Sequence, residues 1–275
     1  MKNNIGVIIP TYKEPDYLDL CIESLYKNCN NNDNFDVYVI IDGHYKINEK
    51  VIEKYKNLHN NNFKYINLKQ NEGLSYSTNI GVHYCQSNYL LIVNDDNVFP
   101  KDWDKILLDK YKTISETESN FFIVPNQIEP KPSIFKQYNI KSFGTKIKEF
   151  NLDEFTEYEL SIKSLLKDDY TGWTFPLFMK RTDYLKVGGW DLSYKSPHIV
   201  DLDFFTKLQL NKMKSIRIYN CSFYHFGGKA TKNTDEMTTI NKNEFTTKEQ
   251  MAFKYFFDKW EFPPIRNNDN SIKII

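Results

Sequence analysis

Apolar and polar positions alternate in two kinds of block along the first hundred residues. Residues 5–10 form a short apolar run closed by Pro10, and residues 16–27 then place Tyr17, Leu18, Cys21, Ile22, Leu25 and Tyr26 at helical spacing. The same pair recurs twice: a strand pattern over 35–41 ends on Asp42-Gly43 before a helical pattern over 46–59, and a strand over 63–68 precedes a helix over 75–85. A fourth strand over 89–93 runs straight into Asn94, Asp95, Asp96 and Asn97. Strands alternating with helices predict an α/β fold built on a mostly parallel sheet covered on both faces.

Beyond residue 114 the pattern is less regular. A strand over 121–124 is followed by a proline-broken stretch through Pro125, Pro130 and Pro132, which reads as a long excursion over a site. Apolar residues around 173–179, a helical pattern over 182–187 and the turn Gly188-Gly189 come next. A helix over 201–210, strands over 215–219 and 221–225, and an aromatic helix over 251–260 before Pro263-Pro264 complete the chain. With no repeat and no Gly/Ser-rich linker, the expectation is one continuous domain over 1–235, in halves 1–110 and 111–235, with a C-terminal extension over 236–275.

Composition narrows the partners. The chain has 275 residues, 40% of them hydrophobic, which is enough to bury a sizeable core. Thirty-six basic residues balance thirty-six acidic ones, so no overall field would gather nucleic acid or an anionic membrane around the molecule. The four cysteines show neither zinc-site spacing nor the density of a disulfide scaffold, which points to reduced thiols and a cytoplasmic setting, with a peripheral membrane contact left open. No window approaches the roughly 18 apolar residues of a membrane span.

In parallel sheets the ligand crevice lies beyond the carboxyl ends of the strands. Three polar clusters, over 11–14, 42–44 and 94–97, fall at such ends, although Asp, Asn and Gly are also ordinary turn residues. Asp95 and Asp96 offer hard oxygen ligands suited to magnesium or manganese; the alternative is that Asp96-Asn97 caps a helix beginning near Lys101. His225 ends a strand just before Gly227-Gly228. Asp201 and Asp203 head a predicted helix, either as N-terminal caps or with one of them as a general base, a role for which His198 competes. Trp173 could stack on a sugar or fill the core, and Trp190 fits a core position beside its glycine pair.

These residues resemble a family 2 type glycosyltransferase with the GT-A fold. The matching pieces are Ile8-Ile9-Pro10-Thr11-Tyr12 with Glu14, Ile40-Ile41-Asp42-Gly43, and Asn71-Glu72-Gly73-Leu74-Ser75 with Asn79-Ile80-Gly81. Further on come Leu90-Leu91-Ile92-Val93-Asn94-Asp95-Asp96 with Trp103, Gly188-Gly189-Trp190-Asp191, Asp201-Leu202-Asp203 and Tyr224-His225-Phe226-Gly227-Gly228. The resemblance implies a Rossmann-like sheet, a nucleotide-diphosphate sugar donor (a UDP-sugar first among them) and a glycan, glycolipid or glycoprotein acceptor. Pro10, Thr11, Tyr12 and Glu14 would line the nucleotide pocket, Asp42 would meet the base, and Asn71, Gly73 and Asn79 would lie near the nucleotide and sugar. Asp96 and His225 would bind Mn2+ or Mg2+, beside Asp95, and Asp201 would be the base of an inverting transfer. Asn94 stands where relatives carry the first acid of an Asp-x-Asp motif, and Val200 where an acidic residue is common. The readings set against this one are a catalytically silent nucleotide-sugar or glycan-binding module, and a nucleotidyltransferase, which should show a glycine-rich phosphate loop where Pro10-Thr11-Tyr12 stands.

Overall fold

The structure is a computed structural model that describes residues 4–131, 139–165, 167–170, 174–194, 197–227, 239–265, 267 and 273. Its strands are β1 (Ile5–Thr11), β2 (Phe35–Ile41), β3 (Phe63–Asn67), β4 (Tyr89–Ile92), β5 (Asn97–Val98), β6 (Phe121–Glu129), β7 (Asn139–Ile140), β8 (Leu177–Lys180) and β9 (Lys214–His225). Its helices are α1 (Pro15–Asn28), α2 (Tyr45–Leu58), α3 (Leu74–Tyr84), α4 (Trp103–Ser115), α5 (Leu152–Ile162), α6 (Arg181–Lys186), α7 (Pro197–Leu210) and α8 (Thr239–Trp260). The strands make one sheet in the order β3-β2-β1-β4-β8-β6-β9-β5, with β7 beside β6.

Strand direction decides where a site can form. β1 is parallel to β2 and β4, β2 to β3, and β6 to β9, while β8 is antiparallel to both β4 and β6. Six strands, β1 to β4 with β6 and β9, therefore point the same way, and their carboxyl ends share one edge. Every residue of β1 is buried, as expected for a strand covered on both faces. On one side Val7, Ile9, Val37 and Val39 pack with Leu18, Ile22 and Leu25 of α1 and with Trp103 of α4. On the other, Ile8 and Ile40 meet Val82 of α3, Phe204 of α7 and Phe256 of α8. No helix among the described residues is long and apolar enough to cross a membrane.

The early elements match the expected ones to within a residue or two; the later ones depart in instructive ways. β6 does not stop at Val124 but continues through Pro125 to Glu129, because its register with β9 slips there: Pro125 lies opposite Ile218 and Asn126 opposite Ser222. A bulge is where a strand tolerates a residue without an N–H. The same slip makes the two strands expected over 215–219 and 221–225 a single bulged β9. The stretch after Val124, expected as an excursion, holds the end of β6, β7 and α5 among its described residues. α4 begins at Trp103, so Asp96-Asn97 do not cap it. α7 begins at Pro197, a residue well suited to the first helical position, which puts Asp201 and Asp203 in the second turn rather than at the cap.

α5 introduces a titratable group into the core. The fully buried Glu159 accepts the Ser222 amide at 3.3 Å and has the Lys163 ammonium 3.4 Å away. Burial pushes its carboxyl up from 4.5 to about 7 even though Lys163 pulls the other way. A carboxyl whose pKa is raised by folding adds stability below its unfolded value and loses that contribution as pH rises through about 7. Thermal melts should therefore show stability falling from pH 5 to 8, and Glu159→Gln should flatten that slope by up to about 3 kcal/mol. Parallel slopes in the two proteins would contradict this.

Candidate active site

Thr11 ends β1, Asp42 follows β2, residues 94–96 follow β4, Glu129 ends β6 and His225 ends β9, so all five positions lie on the common carboxyl edge. Hydrogen bonds join them. The Thr11 hydroxyl donates to Asp95 Oδ2 at 2.7 Å, and the Thr11 carbonyl accepts the Asp42 amide at 3.0 Å. After Asp96 the chain turns into β5, where Asn97 and Val98 pair with His225 and Tyr224. The Phe226 amide donates to the Asp96 carbonyl at 3.2 Å, and Asn97 Nδ2 to the Tyr224 carbonyl at 3.3 Å. This pairing leaves Asp96 Oδ1 3.5 Å from His225 Nε2, while Glu129 Oε1 lies 2.8 Å from His225 Nδ1.

The site is acidic and largely dry. Asp95 and Asp96 are each only 4% exposed. Burial pushes the Asp95 carboxyl up to about 8; the charge of Asp96 adds to the shift, and the Thr11 hydroxyl and Tyr12 amide oppose it. Burial likewise raises Asp42, whose carboxylate accepts the Glu72 amide at 2.7 Å and the Gly73 amide at 3.0 Å. Asp42 thus clamps the loop between β3 and α3 onto the end of β2. Gly43 permits the clamp: it sits at φ +78, and a Cβ there would lie 2.9 Å from the Gln70 carbonyl carbon. Beside it the Tyr12 ring meets His44 edge-on at 5.6 Å, with Lys13 Nζ 5.0 Å from the centre of the Tyr12 ring.

The remaining expected residues divide. Glu14 lies just before α1, its carbonyl accepting the Leu18 amide at 3.0 Å. Asn71 is exposed on the clamped loop, Asn94 is half-buried, and Pro10 is buried inside β1 opposite Ile40. Asn79 faces the turn after α6: its Oδ1 accepts the Tyr184 hydroxyl at 2.6 Å and the Trp190 amide at 3.0 Å, and its Nδ2 donates to the Trp190 carbonyl at 2.8 Å. Trp190 is core, packed on Phe204.

Of the possible bases, Asp203 is fully buried, and its Oδ1 accepts from Tyr194, Lys259 and Trp260 at 3.1, 2.7 and 2.8 Å. Residues two apart on a helix are separated by about 200°, so the half-buried Asp201 projects from the other side of α7. Asp203 is therefore a structural acid, and Asp201 is the carboxylate left in contention. Trp173 and the side chain of His198 lie outside the described residues.

Glu129 is not marked in the sequence, because Pro125 reads as the end of its strand. Its signal was the apolar Ile128 before it, continuing the strand pattern past the proline.

Among the described residues no set of three His, Cys, Asp or Glu groups could hold a metal unaided. The Asp96–His225 pair nevertheless suits an ion completed by phosphate oxygens and water. One oxygen and one imidazole nitrogen face each other, and a second carboxylate fixes the ring through its other nitrogen, the usual support for a ligating histidine.

Comparison with known proteins bears on the family and the fold. The family model described as glycosyl transferase family 2 matches residues 6–157, more than half of the chain. Glycosyltransferase GlyA of Streptococcus pneumoniae serotype 4 is 26% identical over 121 residues, which are 44% of this chain and 16% of GlyA. The chain thus spans about a sixth of the length of that curated relative. In fold it is similar to S. aureus TarS 1–349, with a TM-score of 0.57 at 16% identity over 94% of this chain and 72% of TarS 1–349. The same TarS fragment in complex with UDP gives a TM-score of 0.56 at 15% identity, over the same shares of the two chains. GalNAc-T7 with UDP, GalNAc and Mn2+ gives a TM-score of 0.57 at 16% identity over 81% of this chain and 43% of that one. The fold is GT-A, as expected from the sequence.

The bond from Thr11 to Asp95 should matter for folding as well as for the site. Thr11→Val keeps the shape but leaves a buried carboxyl without its hydroxyl donor, and should cost about 1–3 kcal/mol in urea unfolding at neutral pH. An unchanged midpoint would mean that Asp95 finds another donor.

Proposed function

Because this chain belongs to glycosyl transferase family 2, we propose that it moves a sugar from a nucleotide-diphosphate donor onto an acceptor hydroxyl, inverting the anomeric carbon. The observation that carries this reading is the convergence of Asp42, Asp95, Asp96, Glu129 and His225 on one sheet edge. The structures of similar fold that contain UDP, one of them with GalNAc and Mn2+, support a UDP-sugar donor and a divalent ion. Residues 1–110 supply most of the donor side, joined there by Glu129 and His225, and 111–235 otherwise supply the acceptor side, the acceptor being a glycan, glycolipid or glycoprotein.

Tyr12 and the loop clamped by Asp42 form the nucleoside end, with Asn71 and Gly73 beside it. Asp96 and His225 would hold Mg2+ or Mn2+ against the diphosphate. When bound, such an ion offsets the charge that develops on the departing nucleotide diphosphate. Glu129 sets the tautomer: with the proton on Nδ1 directed at Glu129, the Nε2 lone pair faces Asp96. Asp201 takes the proton of the acceptor hydroxyl as its oxygen bonds to the anomeric carbon. The bond from that carbon to the diphosphate breaks on the opposite face, and the nucleotide diphosphate leaves with the electron pair. The proton then passes from Asp201 to solvent. Trp173 is the aromatic candidate for stacking on the acceptor.

Donor binding is testable by thermal shift with a panel of nucleotide sugars, with and without Mn2+, because a ligand that binds the native state stabilises it by mass action. One donor should shift the melt only with the ion, and both Asp96→Ala and His225→Ala should lose the shift. No shift with any donor, in protein shown to be folded, would favour a glycan-binding module instead. For the chemical step, Asp201→Asn should keep the donor shift while transfer falls by roughly 100- to 10,000-fold. A smaller loss would move the base elsewhere.

A further inference from the structure

The C-terminal helix α8 lies beyond the stretch that the family model matches. Near its end Lys259 spans two carboxylates, with its ammonium 2.6 Å from Asp191 Oδ2 and 2.7 Å from Asp203 Oδ1. The neighbouring Trp260 donates its indole N–H to the same Asp203 oxygen at 2.8 Å, as does the Tyr194 hydroxyl at 3.1 Å. Tyr255, one turn earlier on α8, donates to Asp191 Oδ2 at 3.1 Å.

The two carboxylates belong to different parts of the molecule. Asp191 follows the turn Gly188-Gly189-Trp190, which is fastened to α3 through both ends of the Asn79 amide. The contact is close: Gly189 sits at φ +60, and a Cβ there would lie 2.7 Å from Asn79 Oδ1. α3 in turn begins directly after Gly73, the residue held by Asp42. Asp203 lies on α7, two residues from Asp201 and fully buried against α8. The Lys259 ammonium therefore ties the element that carries Asp201 to the element that backs the donor loop, beside a second link in which Lys207 of α7 donates to the Gly189 carbonyl at 2.8 Å. Asp203 also has the Lys207 ammonium of its own helix 3.6 Å from Oδ2, but the shorter contact is that of Lys259, so moving α7 away from α8 strips a buried carboxylate of its nearest cation.

We propose that Lys259 is a positioning residue for transfer: by bridging Asp191 and Asp203 it fixes α7, and with it Asp201, against the donor side of the site. This rests on the reading of Asp201 as the base. It makes α8, which the sequence sets apart as an extension, part of the catalytic unit. Loss of the bridge displaces the group that takes the acceptor proton and leaves the donor residues on the far strands as they are.

The test measures kcat for transfer and donor affinity in Lys259→Met, Lys259→Arg and the double variant Lys259→Met/Asp203→Asn. In Lys259→Met, kcat should fall about 10- to 100-fold, the size of loss that a displacement of the order of 1 Å produces, with donor affinity within about twofold of the parent. Lys259→Arg, which can still bridge two carboxylates, should recover most of the rate. The double variant removes the buried charge that only the more distant Lys207 would then face, so it should fold even where the single variant is weakened, and it should remain slow. Parent-like kcat in Lys259→Met overturns the proposal. So does a loss of donor affinity that tracks a lowered melting temperature, or full recovery of rate in the double variant, because either would make the bridge purely a matter of stability. Should Asp201→Asn itself transfer at the parent rate, the reading of the base fails. Should Asp201→Asn be slow and Lys259→Met fast, only the positioning role fails.

Discussion

Two residues of antiparallel pairing, Asn97 against His225 and Val98 against Tyr224, determine whether this molecule has a site at all. In the sheet order β4 and β9 are separated by β8 and β6, three strand spacings or about 14 Å, so side chains at their ends would not meet. β5 leaves the end of β4, crosses the edge and lies against the end of β9, bringing Asp96 and His225 to 3.5 Å. The crossing strand is itself held from beneath. Asn28 Nδ2 of α1 donates to the Phe99 carbonyl at 2.7 Å, and the Phe99 amide donates to Ser24 Oγ of the same helix at 3.0 Å. Two buried polar residues in an otherwise apolar helix face thus fix the path of a two-residue strand, and that strand closes the site.

This closure explains which parts of the molecule the sequence disclosed. The first hundred residues are written in local pattern: apolar runs of strand length alternate with helical spacing, each strand ends on polar residues, and each polar end falls on the same edge. The second half is assembled from long-range register, which leaves weaker local marks. Pro125 looked like a break and is a bulge, because a slip against β9 supplies a position that needs no N–H donor. That one misreading hid Glu129, whose role at His225 arises only when β6 and β9 run side by side to their ends. α7 opens at Pro197, four residues before the helix expected from 201, which removes the capping account of Asp201 and Asp203. Asn79 matched a motif, but its fastening of the Trp190 turn could not be read from residues more than a hundred positions apart.

Two groups of buried carboxylates show how burial and partners separate scaffold from site. Asp203 is fully buried and surrounded by three donors from two segments: an ammonium and an indole N–H of α8, and the phenol of Tyr194. Its charge is answered by fixed groups of the protein, and such an arrangement holds elements in register. Asp95 is almost as deeply buried, but the groups acting most strongly on it are a second carboxylate, a hydroxyl, an amide and Glu14, none of them a cation. Burial and the adjacent Asp96 push its carboxyl up to about 8, so around neutral pH the folded chain holds acid whose ionisation it does not itself fully support.

A fold tolerates that expense where something outside the chain can supply the missing positive charge, and the open sheet edge beside His225 is the place where it could enter. The same reasoning places the division of labour within Asp95-Asp96. Asp95 is turned inward to the hydroxyl of Thr11 and joins β4 to β1, whereas Asp96 faces the imidazole. Asn94, which the sequence resemblance sets at the first acid of an Asp-x-Asp motif, is half-buried and uncharged, so the two acids of this stretch are the buried Asp95 and Asp96. Under the proposed function a cation would rest on Asp96 and His225, while the geometry of the edge rests on the bonds of Asp95 to Thr11 and of His225 to Glu129.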